Sequence, residues 1–233
     1  VFVLLGVATD GDGDRTGAVD DKGRFIDPHR IFALALRYLV EKRGLRGTVV
    51  KTVSTTRMID RLCERYGLQV IETPVGFNYI ADLMMTQAVL IGGEESGGIS
   101  IAGHIPEGDG ILLGLLLIEI VAASGATLSD LVSDLEADVG PAHYARRDIK
   151  LARPVNKKEM TARLTHDAPA FIAGVTVERV QTNDGINYVM ADGGWLLIRP
   201  SGTEPVLRVY AEAPEVKMVE ALLAYGQAVA ASA

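Results

Sequence analysis

The stretch Thr48–Gly98, "TVVKTVSTTRMIDRLCERYGLQVIETPVGFNYIADLMMTQAVLIGGEESGG", decides the fold class because its hydrophobic period keeps changing. "TVVKTVS" is a short β-branched run of strand character. "TTRMIDRLCERYG" puts Met58, Ile59 and Leu62 on one helical face and stops at Gly67. "QVIETPV" returns to strand, "FNYIADLMMT" reads as helix, and "AVLIGG" is strand again. Strand and helix alternating at this spacing imply an α/β layer with a mostly parallel sheet.

Outward from that stretch, the pattern extends on both sides. "DPHRIFALALRYLVEKRG" is a helix with Asp27 as N-cap, Pro28 in the first turn and Gly44 beyond its end. Before it, Val1 to Ala8 reads as a buried strand running into "VATDGDGDRTGAVD". After the "GGEESGG" loop come a short strand, "ISIAG", and a helix from Gly110 to Gly125. Its apolar run "ILLGLLLIEIVAA" carries Glu119 and is too short to span a bilayer, so it is expected to be a buried helix. "TLSDLVSDLEADVG" is a further amphipathic helix. Near Gly140-Pro141 the rhythm changes. Ala142 to Lys150 reads as a strand and Asn156 to Thr165 as a helix. The strands "GVTVERVQ", "INYVMA", "GWLLIRP" and "PVLRVYAEA" then follow, with "TNDG" and "ADGG" as hairpin signals, and a last helix. The expectation is an α/β layer with a mostly parallel sheet, then an α+β part with an antiparallel sheet, divided near residue 140.

The formal net charge of −7 argues against general affinity for nucleic acid or for a membrane surface. Any anionic ligand must therefore be held by a local basic cluster. The single cysteine, Cys63, forms no internal disulfide and fits a reducing, cytoplasmic setting. The chain begins without Met inside an apolar run, and is expected to be a fragment lacking an N-terminal portion.

Three clusters carry chemistry. Asp10, Asp12 and Asp14 alternate with Gly11 and Gly13, with Arg15 directly after and Asp20 and Asp21 close by. Carboxylates at this spacing repel one another unless a cation, a basic residue or open water lies among them. Hard oxygen ligands suit Mg²⁺ or Ca²⁺. An EF-hand is excluded, because Arg15 and Asp21 stand where it needs Gly and Glu. Asp12-Gly-Asp14-Arg-Thr16 also fits the D-x-D-x-T of haloacid-dehalogenase-like phosphatases, with an aspartyl nucleophile, but leaves Asp10 unused. In "GGEESGGISIAGHIPEGDG", Glu94 and Ser96 offer a carboxylate and a hydroxyl suited to sugar hydroxyls; the plain alternative is a glycine-shaped connection between strands. In "LLIRPSGTEPVLRVYAEA", Arg199 and Arg208 flank a turn containing Ser201, Gly202 and Thr203. That turn is either a nest for a dianionic phosphate or a hairpin with two exposed arginines. A phosphorylated sugar would reconcile all three clusters.

"TDGDGDR", "GEESGG" and "RPSGTEPVLRVYAEA", with "TPVGFNYI" and "HIPEGDGI" between them, resemble the α-D-phosphohexomutase superfamily, the phosphoglucomutases and phosphomannomutases, over nearly the whole chain. The resemblance implies a fold of four domains, of which this chain would hold a mixed-sheet α/β/α domain followed by a C-terminal α+β domain with an antiparallel sheet. Residues 1–24 would end the second domain, 25–140 would form the third and 141–233 the fourth. It implies transfer of a phosphoryl group between sugar O1 and O6 through a phosphoserine and a bisphosphorylated intermediate. It also implies Mg²⁺ on Asp10, Asp12 and Asp14, and Arg15 at the phosphoryl group. Glu94 and Ser96 would lie on the sugar, with Arg199, Ser201, Gly202, Thr203 and Arg208 on the non-reacting phosphate. Its partners would be a phosphorylated hexose and the N-terminal domains of the same protein. No T-A-S-H-N-P-like segment with the family serine occurs in residues 1–233, so the fragment is expected to be inactive alone. Many relatives carry Lys or Arg where this chain has Asn78, and some carry Lys where it has Gly108; His104 is a candidate stand-in for those basic contacts.

Overall fold

The chain opens as an antiparallel meander of β1 (Leu5–Thr9), β2 (Thr16–Asp20) and β3 (Phe25–Ile26). The computed structural model describes residues 4–202 and 204–231, so Val1 to Val3 of the expected first strand lie outside it. Pairing runs from Leu5 opposite Asp20 to Thr9 opposite Thr16, which makes Asp10 to Arg15 the tip of a hairpin. Strands β2 and β3 were not anticipated, because Asp20 and Asp21 read as part of one acidic cluster. They belong to the next turn. The Asp20 carboxylate accepts from the Lys22 and Arg24 amides, both at 2.9 Å, and from the Arg24 guanidinium. Asp21 accepts from the Ser129 amide at 3.2 Å.

Helix α1 (Pro28–Glu41) follows, with the Asp27 side chain accepting from the Arg30 amide as expected of an N-cap. Then come β4 (Thr48–Thr52), α2 (Met58–Tyr66), β5 (Val70–Thr73), α3 (Phe77–Thr86), β6 (Val89–Gly93) and β7 (Ile99–Ile101). The sheet order is β5-β4-β6-β7, parallel except for the β6–β7 pair. Met58, Ile59 and Leu62 are buried on one face of α2, which ends at Gly67 in the left-handed conformation. Two glycines in β6 set the layering. A Cβ on Gly92 would lie 2.4 Å from Ile80 of α3, and one on Gly93 would lie 3.0 Å from Phe32 of α1. Helices therefore press directly on both faces of the sheet. On the α3 side, Val50, Ile80 and Val89 form a small core.

Helix α4 (Gly110–Ser124) packs on β1, β2 and α1, and α5 (Leu128–Val139) packs on α1 and α2. The expectation that α4 is a buried helix holds on one face only. Leu113, Leu116, Leu117, Ile120 and Val121 face inward, while Ile111, Leu115 and Ile118 are exposed along one stripe. Glu119 is held by the Tyr38 hydroxyl at 2.5 Å and by Arg43. Among the described residues, no single helix is long and apolar enough to cross a membrane.

Residues up to Gly140 form one compact unit and those from Pro141 onward a second. The second contains β8 (His143–Lys150), α6 (Lys157–His166), β9 (Phe171–Ile172), β10 (Val175–Gln181), β11 (Ile186–Met190), β12 (Trp195–Pro200), β13 (Val206–Ala213) and α7 (Val216–Ala231). Its six strands are antiparallel in the order β8-β13-β12-β11-β10-β9. Side chains alternate across each strand. Leu196, Ile198, Leu207, Val209 and Ala211 share a core with Leu222 and Leu223 of α7 and Leu164 of α6. The same alternation puts Arg199 and Arg208 on the opposite face.

Candidate functional site

The aspartate turn is built by backbone contact with two other loops of its own unit. The Thr16 amide donates to the Gly97 carbonyl at 3.3 Å, and Arg15 pairs with Gly98 in an isolated antiparallel bridge. The Gly110 amide donates to the Gly13 carbonyl at 2.9 Å. Glycine is needed at these crossings because any Cβ would meet main chain. It would lie 2.8 Å from Thr16 O at Gly97, 2.8 Å from Asp14 O at Gly108, and 2.2 Å from Arg15 O at Gly110. The "GEESGG" and "PEGDG" glycines are thus the seat of the aspartate hairpin.

On that seat, Asp10, Asp12 and Asp14 bring one carboxylate oxygen each within 4.8 Å of one another. The Arg15 amide donates to Asp10 at 3.2 Å, and its guanidinium lies 3.6 Å from Asp10 and 3.7 Å from Asp14. The Asp14 carboxyl is raised above its ordinary value, first by partial desolvation and then by the charges of Asp12 and Asp10. Desolvation also opposes ionisation of Asp10. There the Arg15 amide, Asp14 and the Arg15 guanidinium outweigh it, and the carboxyl lies below its ordinary value. Asp14 Oδ1 is buried without a hydrogen-bond donor. An all-oxygen set with one orphaned oxygen and mutual repulsion fits a small hard divalent cation.

The sugar-binding candidates lie on the loop that seats this turn, which runs Glu94-Glu95-Ser96-Gly97-Gly98. The Glu94 carboxylate accepts from the Gly76 amide at 2.9 Å, and Ser96 is half-buried in the turn. The neighbouring Glu95 accepts from Ser54 at 2.7 Å, so the loop is tied to the end of β4 as well as to the start of α3. The loop that carries Glu94 and Ser96 therefore abuts Arg15 and the aspartate turn through the main chain of Gly97 and Gly98. Asn78 is exposed on the first turn of α3. Gly108 has no room for any side chain in this backbone arrangement. His104 hydrogen-bonds Asp109 at 2.8 Å, and Asp109 caps α4 by accepting from the Leu112 amide at 2.8 Å. His104 thus supports the helix that seats the aspartate turn.

In the second unit, Arg199 of β12 and Arg208 of β13 are direct cross-strand partners. Like charges placed opposite each other in a sheet are destabilising. The carboxylates near Arg208 lie beyond hydrogen-bond distance, Asp148 at 3.9 Å and Glu204 at 3.8 Å, and Arg208 Nε is buried without an acceptor. Ser201 closes the connecting turn, its amide donating to the Val206 carbonyl at 2.8 Å and its hydroxyl accepting from the Glu204 amide at 3.3 Å. Gly202 is exposed beside it, and Thr203 lies outside the described residues. A turn flanked by two opposed arginines, one of them held only loosely by its nearest carboxylates, is suited to a phosphate.

One residue of this cluster escaped the sequence reading. Asp184, in the "TNDG" taken only as a turn signal, has a side chain 4% exposed. It accepts from Arg199 Nε at 2.7 Å and from Lys157 Nζ. The available signal was an acidic residue immediately before the glycine of a hairpin that ends beside an arginine strand.

Residues 27–138 match the phosphoglucomutase/phosphomannomutase alpha/beta/alpha domain III, and residues 151–225 match the C-terminal domain of the same family. This chain belongs to the phosphoglucomutase/phosphomannomutase family. A phosphoglucomutase/phosphomannomutase of Thermococcus kodakarensis is 33% identical over 224 residues, which cover 95% of this chain and 46% of that relative. A phosphoglucosamine mutase of Limosilactobacillus reuteri is 36% identical, covering 92% of this chain and 44% of the relative. The crystal structure of a "putative phosphomannomutase" from Thermus thermophilus superposes with a TM-score of 0.81 at 37% identity, over 97% of this chain and 45% of that one. The chain thus spans a little under half the length of these relatives, which are named as phosphomutases. Family membership displaces the phosphatase reading of Asp12 and Asp14.

Proposed function

We propose that residues 1–233 are the C-terminal portion of a phosphosugar mutase that interconverts hexose 1-phosphate and hexose 6-phosphate, and that by themselves they bind phosphosugar without turning it over. The observation that carries this reading is the seating of the three-carboxylate turn directly on the Glu94 loop, which supports a cation site beside a sugar-binding edge. Asp10, Asp12 and Asp14 would hold Mg²⁺, which when bound supplies positive charge to a phosphoryl group. Arg15 contacts that phosphoryl group from the same turn. Glu94 and Ser96 read sugar hydroxyls. Arg199, Ser201, Gly202, Thr203 and Arg208 hold the non-reacting phosphate. The phosphoserine belongs to N-terminal domains of the same protein, its principal partner, and the setting is cytoplasmic. Several relatives are named phosphoglucosamine mutases, so an amino sugar phosphate stands beside glucose and mannose phosphates as substrate.

Calorimetric titration of glucose 1-phosphate, mannose 1-phosphate and glucosamine 1-phosphate into the chain, with and without Mg²⁺, tests this. Binding that survives removal of Mg²⁺ but is lost in Arg208→Ala supports the assignment. Binding by none of the three counts against it. Conversion to the 6-phosphate by residues 1–233 alone would overturn the expected inactivity. Release of inorganic phosphate that disappears in Asp12→Asn would restore the phosphatase reading.

A further inference from the structure

We infer that Asp184 and Gly185 are a positioning element for Arg199, fixing its guanidinium so that the terminal nitrogens are presented to a phosphate. The inference rests on the reading of Arg199 and Arg208 as phosphate ligands. The two arginines are cross-strand partners but are held differently. Arg199 donates through Nε to the buried Asp184 carboxylate at 2.7 Å. Arg208 has its nearest carboxylates at 3.8 and 3.9 Å. Among the described residues, Arg199 Nη1 and Nη2 have no hydrogen-bond partner. An arginine gripped at Nε keeps one edge of its planar fork for a bidentate anion, with its orientation already set.

Gly185 brings Asp184 to that place. Its φ is +96°, and a Cβ there would lie 2.5 Å from the Ile198 carbonyl and 3.0 Å from Arg199 Cα. The turn before β11 can therefore rest on the main chain that carries Arg199 only if residue 185 has no side chain. Lys157, in the first turn of α6, binds the other oxygen of Asp184. The carboxylate is thereby anchored from outside the hairpin. The Lys157–Asp184–Arg199 triad keeps one net positive charge, so anchoring does not cancel the attraction for an anion. Arg208, less restrained, is the arginine that adjusts on binding.

The test uses the whole chain, with inorganic phosphate and glucose 6-phosphate as probes. Affinity is measured by calorimetry for the wild type, Asp184→Asn, Arg199→Ala and the double variant. Asp184→Asn is expected to weaken phosphate binding about tenfold in the wild-type background and not at all in the Arg199→Ala background. Equal losses in both backgrounds would mark a general structural role and overturn the inference. So would an unchanged affinity in Asp184→Asn when Arg199→Ala loses binding. If the wild type and Arg199→Ala fail equally to bind either probe, the phosphate-site reading itself has failed, and the inference with it. Should Asp184→Asn not fold, ¹⁵N resonances of the arginine side chains in the wild type decide. The Arg199 Nε–H signal is expected to stay fixed on titration with phosphate while its Nη signals move. Movement of the Nε–H signal to a phosphate-bound position would overturn the inference.

Discussion

Replacing Gly110 by alanine adds one carbon, and the structure puts that carbon against main chain. The new Cβ would lie 2.2 Å from Arg15 O and 2.7 Å from Arg15 C, where ordinary contact begins at 3.4 Å. Carbonyl and helix must therefore separate by about 1.2 Å, and no flexible side chain can absorb the motion. The shift also breaks the 2.9 Å hydrogen bond from the Gly110 amide to Gly13. Overpacking of this kind costs about 1–3 kcal/mol, which corresponds to a fall in Tm of roughly 2–12 °C. The more specific effect falls on the proposed cation site. Mg²⁺ demands near-ideal octahedral geometry at about 2.0–2.1 Å, so displacement of the turn is expected to remove at least one of its proposed carboxylate ligands. Mg²⁺ affinity, measured by calorimetric titration, is expected to fall about tenfold or more. Gly11→Ala is the control, since it alters the same turn at a position where a Cβ meets nothing within 4 Å. Equal Mg²⁺ affinity in Gly110→Ala and wild type, or an equal loss in Gly11→Ala, would refute the argument that α4 seats the aspartate turn.

Asp12→Asn removes one charge from the triad and is expected to weaken Mg²⁺ binding while leaving Mg²⁺-independent phosphate affinity unchanged, as read by the same titrations. At Asp20, desolvation opposes the charge, but the Arg24 amide and guanidinium and the Lys22 amide outweigh it and hold the carboxyl below its ordinary value. A lowered native pKa contributes stability above the unfolded value near 4, lost as pH falls through the native one. Asp20→Asn is therefore expected to lower Tm at pH 7, with the gap to wild type closing below about pH 4; a gap independent of pH would contradict the assignment. Desolvation, with a lesser contribution from Asp60, pushes the buried Cys63 thiol up to about 12. A thiol-disulfide reagent at pH 8 should leave the native chain unlabelled and titrate one thiol in denaturant, and rapid labelling of the native chain would show that α2 opens.

Local pattern was enough for much of the architecture. The alternation of period in Thr48–Gly98 gave the α/β layer, and the Asp27-Pro28 and Gly67 signals placed helix ends that the structure also has. Turn residues marked the antiparallel hairpins after residue 140. These features are legible because each depends on residues a few positions apart. Strands β2 and β3 were lost because charge was read as one cluster, whereas Asp20 spends its carboxylate inside its own turn. The exposed stripe on α4 was lost because a helix apolar all round carries no sign of which face meets the protein.

By itself the sequence singled out the residues proposed to bear the chemistry: the carboxylates of the aspartate turn, the Glu94 loop and the two arginines. Only the tertiary structure decided how they are held. The glycines at 97, 108 and 110 look like turn residues in the sequence, yet they are the places where separate loops touch main chain to main chain. Asp184 looks like half of a hairpin signal, yet it is the buried acceptor of Arg199. Contacts between residues far apart in the chain leave no period or spacing to read, since they exist only once the intervening elements have packed.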